Sequence, residues 1–402
     1  MHKSINKDEN KEKINMIAIV VVGYNRADSM KMLLDSISNA EYDGDEVELV
    51  VSVDKGNTQT DVVNVAQKFD WKFGKKILRV YEEKQGLRKH ILQCGDLTKK
   101  YDAVIVLEDD LIVSPAFYRY AKNAIDFYDG DYRIAGISLY SYHVNEFCNK
   151  IFQPSYNGYD TYVMQVAQSW GQCWTKRMWK EFRNWKYCDA EMIPLGNNMP
   201  KNVYEWGKSS WKKNYMAYIV STNKFFVYPY QSYSTNRSEV GTHRKLSTTD
   251  FQVQLVEGQM DWRLAPVDSS IKYDIFFERL NMESYIEELN DKKICMDLYG
   301  MKTNYQNSDF LFSTRKLPYK IVKEIGLVYR PMEVNCIQPV PGKGLYLYDL
   351  HTTAQIPKDK NNEFLLYEYQ FPGLNWHFSF KYVNYRILEA IKSRLERMLK
   401  YR

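Results

Sequence analysis

Apolar, strand-like segments alternate with helix-like segments in the first part of the chain, and this alternation limits the fold more than any other feature. The strand-like segments are 17–22, 47–53, 77–81 and 103–107. The segments with helical spacing of apolar residues are 27–38, 60–68 and 87–99. Continuous β-branched runs such as 17–22 are typical of parallel strands buried on both faces. The pattern predicts an α/β fold with a mostly parallel sheet flanked by helices.

Polar side chains follow three of these strands. The three clusters are Tyr24-Asn25-Arg26, Asp54-Lys55-Gly56 and Glu108-Asp109-Asp110. Parallel strands of such a sheet place their carboxyl ends at one edge, where ligands bind. Three adjacent carboxylates repel one another, so a cation is expected beside them, and Mg²⁺ or Mn²⁺ prefers such hard oxygen ligands. The alternative is an acidic helix N-terminus that offsets the helix dipole; the position at the sheet edge favours the metal.

The length and composition indicate a globular protein of more than one domain. The chain has 402 residues, above the roughly 250–300 at which a single core stops growing. We expect a disordered tail at 1–15, the two halves of an α/β domain at 16–130 and 131–268, and a smaller appended C-terminal domain at 269–402. The net charge of +5 is too small to indicate a nucleic-acid partner.

The cysteines and the hydropathy bear on the compartment. Six cysteines are scattered without a C-x-x-C pair, which predicts reduced thiols in a cytoplasmic protein rather than zinc ligands or disulfides. No run approaches the ~18–20 apolar residues that cross a bilayer. Aromatic residues reach 15%, and tyrosine and tryptophan rings suit stacking on sugars and bases.

The three strand-end motifs resemble those of the GT-A nucleotide-sugar glycosyltransferases. The chain is most similar to the N-acetylglucosaminyltransferase I family, whose metal motif is also Glu-Asp-Asp-Leu, followed shortly by a proline and an aromatic residue, here Pro115 and Phe117. The resemblance spans about residues 16–260. It implies a GT-A fold and transfer, with inversion, of a sugar such as GlcNAc from a UDP-sugar donor. It further implies Mn²⁺ or Mg²⁺ as cofactor and a glycan or lipid-linked glycan acceptor in bacterial surface polysaccharide synthesis.

The resemblance also assigns roles to individual residues. Arg26 and Asp54 match nucleotide contacts, with Asp54 accepting from uracil N3–H, whereas Asp109 matches a residue near the ribose and Asp110 the direct metal ligand. The further residues implied at the donor site are Tyr24, Asn25, Glu108, Asn236, Arg237 and His243. Trp170 and Gly171 match the acceptor side.

The catalytic base is where the motif departs from the family, which places an aspartate directly before a tryptophan. Glu205 precedes Trp206 and would keep the chemistry, whereas Ser210 precedes Trp211 at a distance that better fits the following strand. We take Glu205 as the base; with the second alignment, Asp189 or Glu191 is also open. Because the base is unsettled, a non-catalytic protein that binds sugar nucleotides or glycans on the same scaffold remains the alternative.

Residues 381–402 form a basic segment with apolar residues at helical spacing. Two interpretations are open for this predicted amphipathic helix. Its apolar face would either dock on the protein's own core or lie on an anionic membrane near a lipid-linked acceptor. The second interpretation places the protein at the inner face of the membrane.

Overall fold

The structure is a computed structural model. It describes residues 14, 16–190, 198–237, 249–258, 261–305, 307–356, 362–371, 373 and 375–400. The strands are β1 (Ile17–Gly23), β2 (Glu48–Val53), β3 (Lys76–Val80), β4 (Ala103–Glu108), β5 (Leu111–Val113), β6 (Ile134–Ser138), β7 (Val144–Asn145), β8 (Lys150–Ile151), β9 (Thr161–Met164), β10 (Gln172–Thr175), β11 (Phe225–Pro229), β12 (Ser234–Asn236), β13 (Lys272–Tyr273), β14 (Ile294–Asp297), β15 (Phe310–Ser313), β16 (Tyr319–Gly326) and β17 (Gly344–Thr353). The helices are α1 (Ala27–Ser38), α2 (Gln59–Lys68), α3 (Leu87–Gly95), α4 (Phe117–Tyr128), α5 (Lys176–Asn184), α6 (Lys201–Glu205), α7 (Trp211–Ser221), α8 (Val334–Ile337), α9 (Asn362–Gln370) and α10 (Trp376–Lys400).

A nine-stranded sheet forms the centre of the molecule, in the order β13-β9-β11-β6-β10-β4-β1-β2-β3. Strands β4, β1, β2 and β3 pair in parallel, and β10 runs antiparallel between β4 and β6. All seven residues of β1 are buried, as expected for a strand covered by helices on both faces. The predicted α/β fold is confirmed.

The predicted elements of the first half lie close to the observed ones. Helix α1 has the predicted bounds, and the ends of the four strands lie within one residue of their predicted positions. The predicted helix at 87–99 ends as α-helix at Gly95 and continues as a 3₁₀ turn over Asp96–Lys99. The predicted tail falls mostly outside the described residues, which begin at residue 14.

The C-terminal region adds a second, four-stranded sheet in the order β14-β15-β17-β16. Strand β13, although it follows residue 268, belongs to the large sheet, where it pairs with β9. A single apolar cluster contains Tyr228 of the large sheet together with Phe312 and Leu347 of the small one. The two sheets therefore share a hydrophobic core.

The six cysteines are all free thiols in the structure. Among the helices that the structure describes, none combines the length and apolar character needed to span a bilayer.

Candidate active site at the sheet edge

The ends of β1 and β4 meet through Arg26 and the acidic cluster. Strands β1 and β4 are parallel neighbours, with Val22 opposite Glu108, so the residues that follow them emerge at the same edge. The Arg26 guanidinium donates to Asp110 Oδ2 at 3.0 Å and to Asp109 Oδ1. The backbone N–H of Tyr24 donates to the other oxygen of Asp109, at 3.2 Å. Two of the three predicted strand-end clusters are thus in direct contact.

Burial of like charges shifts the proton affinities of this cluster. Burial, followed by the nearby charges of Asp110 and Asp109, raises the pKa of Glu108 to about 8. Burial also raises the pKa of Asp109 to about 6, against the opposing effect of Arg26. One guanidinium therefore leaves the three carboxylates short of positive charge, which is the condition that favours a bound cation.

Asp54 follows β2 and is 3% exposed. Its carboxylate accepts three backbone N–H bonds, from Lys55 at 2.8 Å, Gln85 at 2.7 Å and Gly86 at 2.9 Å. Gly86 adopts φ +75° at the start of α3, a conformation that glycine adopts without steric cost. Asp54 therefore fixes the loop that enters α3, in addition to any contact with a nucleotide.

The remaining predicted cluster, residues 54–56, contacts the cluster 24–26 through Gly56 and Asn25. Asn25 Oδ1 accepts from the backbone N–H of Thr58 at 3.3 Å. A Cβ at Gly56 would lie 1.9 Å from Asn25 Oδ1, so only glycine allows this approach. On the same side, the Lys84 ammonium lies 5.6 Å from the centre of the Tyr24 ring.

A short antiparallel ladder brings the distant residues Asn236 and Arg237 to the acidic cluster. Strands β5 and β12 pair with Asn236 opposite Leu111, and the Arg237 backbone N–H donates to the Asp110 carbonyl at 2.9 Å. Asn236 is 4% exposed. The predicted donor-site residues of the two chain segments are therefore neighbours. His243 lies outside the described residues.

Trp170 and Gly171 lie directly beside this ladder. The Ser234 hydroxyl donates to the Trp170 carbonyl at 2.5 Å, and the Trp170 ring packs edge-on against Tyr140 with centroids 4.8 Å apart. Gly171 has φ +94°, and a Cβ there would lie 2.8 Å from Ser234 Oγ and 3.2 Å from Leu139. The glycine permits the close approach of β12 to the main sheet.

We expect Gly171→Ala to destabilise the fold by about 2 kcal/mol, because left-handed backbone strain and overpacking add. Gly44→Ala is the matched control, since Gly44 also has positive φ (+82°) but no atom within 4 Å of its Cβ position. The control should cost about 1 kcal/mol from backbone strain alone. Urea unfolding of both variants measures the difference, and equal losses would contradict the steric part of the account.

The carboxylates considered for the catalytic base lie in different surroundings. Glu205 is the last residue of α6 and is exposed. Asp189 pairs with Arg183 at 2.7 Å, with its side chain 64% exposed, and Glu191 lies outside the described residues. Ser210 is the N-cap of α7, where its hydroxyl accepts from the Lys213 N–H at 3.3 Å. That contact explains the serine before Trp211 as a helix cap.

A buried ion pair that the sequence reasoning missed lies next to Trp170. Lys212 Nζ donates to Glu146 Oε1 at 2.6 Å, with the two side chains 9% and 12% exposed. The same ammonium lies 5.9 Å from the Trp170 ring centre and 5.7 Å from that of Trp206. Its positive charge partly opposes the rise in the pKa of Glu108 that burial causes. No local pattern indicates this pair, because it joins residues 66 positions apart.

The donor set at Asp110 is suited to a divalent cation. The Asp110 side chain is 26% exposed and already binds a cationic group, the Arg26 guanidinium. Within the described ranges, no three His, Cys, Asp or Glu side chains converge to form a complete metal site. Mg²⁺ and similar ions often bind through one or two carboxylates plus substrate phosphates and water. Asp110 would hold such an ion in that manner.

A family comparison identifies the class of this domain. Residues 15–192 match the model of a family described as "Glycosyltransferase like family 2", a match of 178 residues (192 − 15 + 1), slightly less than half of the chain. This segment is a glycosyltransferase domain, and with the sheet described above it has the GT-A fold. The predicted enzyme class is confirmed for the domain, whereas the resemblance to N-acetylglucosaminyltransferase I remains a prediction.

Comparison with solved structures gives low overall similarity. TarS 1–349 of S. aureus is 16% identical with a TM-score of 0.31, over 41% of this chain and 48% of that chain. The same fragment in complex with UDP is 14% identical with a TM-score of 0.35, over 55% and 59%. The mannosyltransferase PcManGT from Pyrobaculum calidifontis, in complex with GDP-Man and Mn²⁺, is 14% identical with a TM-score of 0.30, over 44% and 48%.

The chain covers 48% of TarS 1–349 and 48% of PcManGT, which is about half the length of each. Comparison with curated protein sequences gave no significant match.

Proposed function

We propose that the chain transfers a sugar, with GlcNAc as the first candidate, from a UDP-sugar to a hydroxyl of a glycan or lipid-linked glycan. The proposed setting is bacterial surface polysaccharide synthesis, with inversion at the sugar carbon. The observation that carries the proposal is the convergence of Arg26, Asp54, Asp109–Asp110 and Asn236–Arg237 at one edge of a glycosyltransferase domain. In open α/β sheets this edge is where ligands bind.

The donor half of the site supplies the charges that a nucleotide diphosphate requires. Asp54 would accept the uracil N3–H, while Arg26, Asn236 and Arg237 would donate to the ribose or phosphates. A divalent cation at Asp110 would stabilise the charge of the departing diphosphate, so that no general acid is needed. Glu108 and Asp109 adjoin Asp110, and a cation bound there would favour their charged forms.

The acceptor would bind in the cleft beyond β6 and β11. This cleft has a volume of about 640 Å³ and its lining includes the rings of Tyr142, Phe152, Tyr156 and Tyr230. Its polar lining includes Asp160 and the amides of Gln153 and Gln231. Aromatic rings with a few polar groups are suited to the apolar faces and hydroxyls of sugars.

We retain Glu205 as the proposed base that removes the acceptor proton. The neighbouring ring of Trp206 lies over the Lys212 ammonium, next to Trp170 on the acceptor side. The exposure of Glu205 leaves its carboxylate accessible to an acceptor hydroxyl. We also propose a cytoplasmic location at the inner face of the membrane, because six free thiols suit a reducing compartment.

The donor part of the proposal is tested by calorimetric titration of UDP with and without Mn²⁺. We expect Mn²⁺ to increase UDP affinity in the wild type, and Asp110→Ala to remove about tenfold or more of that affinity, equivalent to about 1.4 kcal/mol. Asp28→Ala is the matched control, because Asp28 is an exposed acid in the first turn of α1. Unchanged Mn²⁺-assisted binding in Asp110→Ala would overturn the assignment.

Transfer itself is tested by incubation with UDP-sugars, Mn²⁺ and a panel of glycan acceptors. We expect release of UDP, at least as slow hydrolysis when no suitable acceptor is present. Binding of UDP-sugars without any release of UDP across the panel would contradict the enzymatic proposal.

A further inference from the structure

The C-terminal helix α10 presents an exposed apolar row. Trp376, Phe380, Val383, Ile387 and Ile391 follow one another at spacings of three or four residues, so they lie on one face. Their exposed fractions are 80%, 66%, 55%, 52% and 52%. For Val383, Ile387 and Ile391, which belong to the predicted segment 381–402, the interpretation that the apolar face docks on the protein's own core is therefore wrong. An exposed row of large apolar side chains marks an interaction surface.

The segment 376–402, which contains this helix, carries the excess positive charge of the whole protein. Residues 376–402 contain seven Lys or Arg and two Glu, a net charge of 7 − 2 = +5, and the whole chain has a net charge of +5. The remaining 375 residues are therefore neutral overall. Such concentration of charge next to an apolar row is suited to a surface that is both apolar and anionic.

We propose that α10 lies in the interface of an anionic membrane, with the row from Trp376 to Ile391 inserted between the lipids. Further aromatic rings, Tyr382 and Tyr385, are exposed on the same helix, and tyrosine and tryptophan favour the headgroup region. A second copy of the chain is the less suitable occupant, because two copies of the segment 376–402, each with a net charge of +5, would repel. Anionic headgroups instead attract every lysine and arginine near the surface.

The attachment of the helix places it close to the acceptor cleft. Helix α9 is fixed to the body by Gln370, which accepts from the Ile151 N–H at 2.7 Å, and five residues separate it from α10. Gln153 lines both the acceptor cleft and a small cavity bordered by Gln370. A membrane-bound α10 would hold the cleft near lipid-linked glycans. This last step rests on the proposed function, whereas the membrane contact does not.

Sedimentation of the full chain with vesicles tests the contact. We expect binding to phosphatidylcholine vesicles that contain phosphatidylglycerol, weak binding to phosphatidylcholine alone, and weaker binding at high salt. One variant replaces Lys381, Arg386, Lys392 and Arg394 with Gln, and another combines Trp376→Ser with Phe380→Ser. Each should reduce binding on the order of tenfold or more. The control Tyr132→Ser removes a ring that is 71% exposed elsewhere, and it should bind as the wild type does.

Two outcomes would overturn the proposal. One is sedimentation that the helix variants leave unchanged. The other is a wild-type dimer, measured by light scattering, that the Trp376→Ser/Phe380→Ser variant dissociates while neither protein binds anionic vesicles; this would assign the row to a second copy. Mn²⁺-assisted UDP binding should be unchanged in the helix variants, so failure of the membrane contact is distinguishable from failure of the proposed function.

Discussion

Replacement of Arg26 with Ala is expected to lower the free energy of unfolding by about 3 kcal/mol at pH 8, because it leaves buried carboxylates without their cation. Asp109 is 2% exposed and would keep only the Tyr24 N–H as a partner. We place the loss at the lower end of the range for broken buried pairs, since the Arg26 side chain is 29% exposed. Urea unfolding at fixed ionic strength measures it.

The loss should shrink as the pH falls. Burial raises the pKa of Asp109 to about 6, so below that pH the carboxyl becomes protonated and has less need of the guanidinium. Arg26→Lys should have an intermediate effect, because a single ammonium does not bridge both carboxylates as the planar guanidinium does. Lys31→Ala is the control from α1, the helix that begins directly after Arg26; its pair with Asp35 is largely exposed, so this variant should change the free energy of unfolding little.

The effect of Mn²⁺ adds a second readout of this prediction. Excess Mn²⁺ should raise the unfolding midpoint of Arg26→Ala more than that of the wild type, because the freed carboxylates would bind the ion without displacing an arginine. A loss that is the same at pH 5 and pH 8, or a midpoint that Mn²⁺ does not affect in either protein, would contradict the electrostatic account of this cluster.

The sequence is sufficient to predict strands β1 to β4 and the helices between them. Strand β1 is recognisable because it is buried on both faces, so its residues are continuously apolar, and α1 because its apolar side chains face only one way. Parallel pairing then brings residues 24–26, 54 and 108–110 to one edge without further information. This part of the site can be predicted from local sequence patterns together with the rule that parallel strands place their carboxyl ends at one edge of the sheet.

The remainder of the site depends on contacts that have no local pattern. The β5–β12 ladder joins segments more than 120 residues apart, and it consists of two three-residue strands. The Lys212–Glu146 pair joins α7 to the end of a two-residue strand. Charged residues of this kind look like surface residues in a sequence, and only tertiary packing shows that they are buried.

Asp54 shows how one residue can satisfy both a structural and a functional interpretation. The sequence indicated a turn former or a nucleotide contact, and the structure gives it three backbone N–H donors. These three bonds hold the carboxylate in a fixed position after β2. The proposed contact with an imide N–H would use the same carboxylate, so the structural role positions the side chain for the proposed one.

His90 → Gln is expected to remove a large part of the loss of stability on acidification. His90 is 2% exposed, lies 2.8 Å from Ser52 Oγ through Nε2, and packs edge-on against Tyr81. Burial lowers the pKa of this histidine from 6.5 to about 4. The imidazole therefore stays neutral in the folded chain at pH values where the unfolded chain is already protonated.

The sign of the pH dependence follows from this depressed pKa. The contribution of neutral His90 is fully present above pH 6.5 and is lost as the pH falls towards 4, by about 1.4 kcal/mol per pH unit. Urea unfolding of the wild type and His90→Gln at pH 7.5, 6.0 and 5.0 measures the difference. His377→Gln is the control, because it replaces an exposed histidine and so shows whether the change depends on burial. A His90→Gln variant with the same slope would show that the buried imidazole is not the group that titrates.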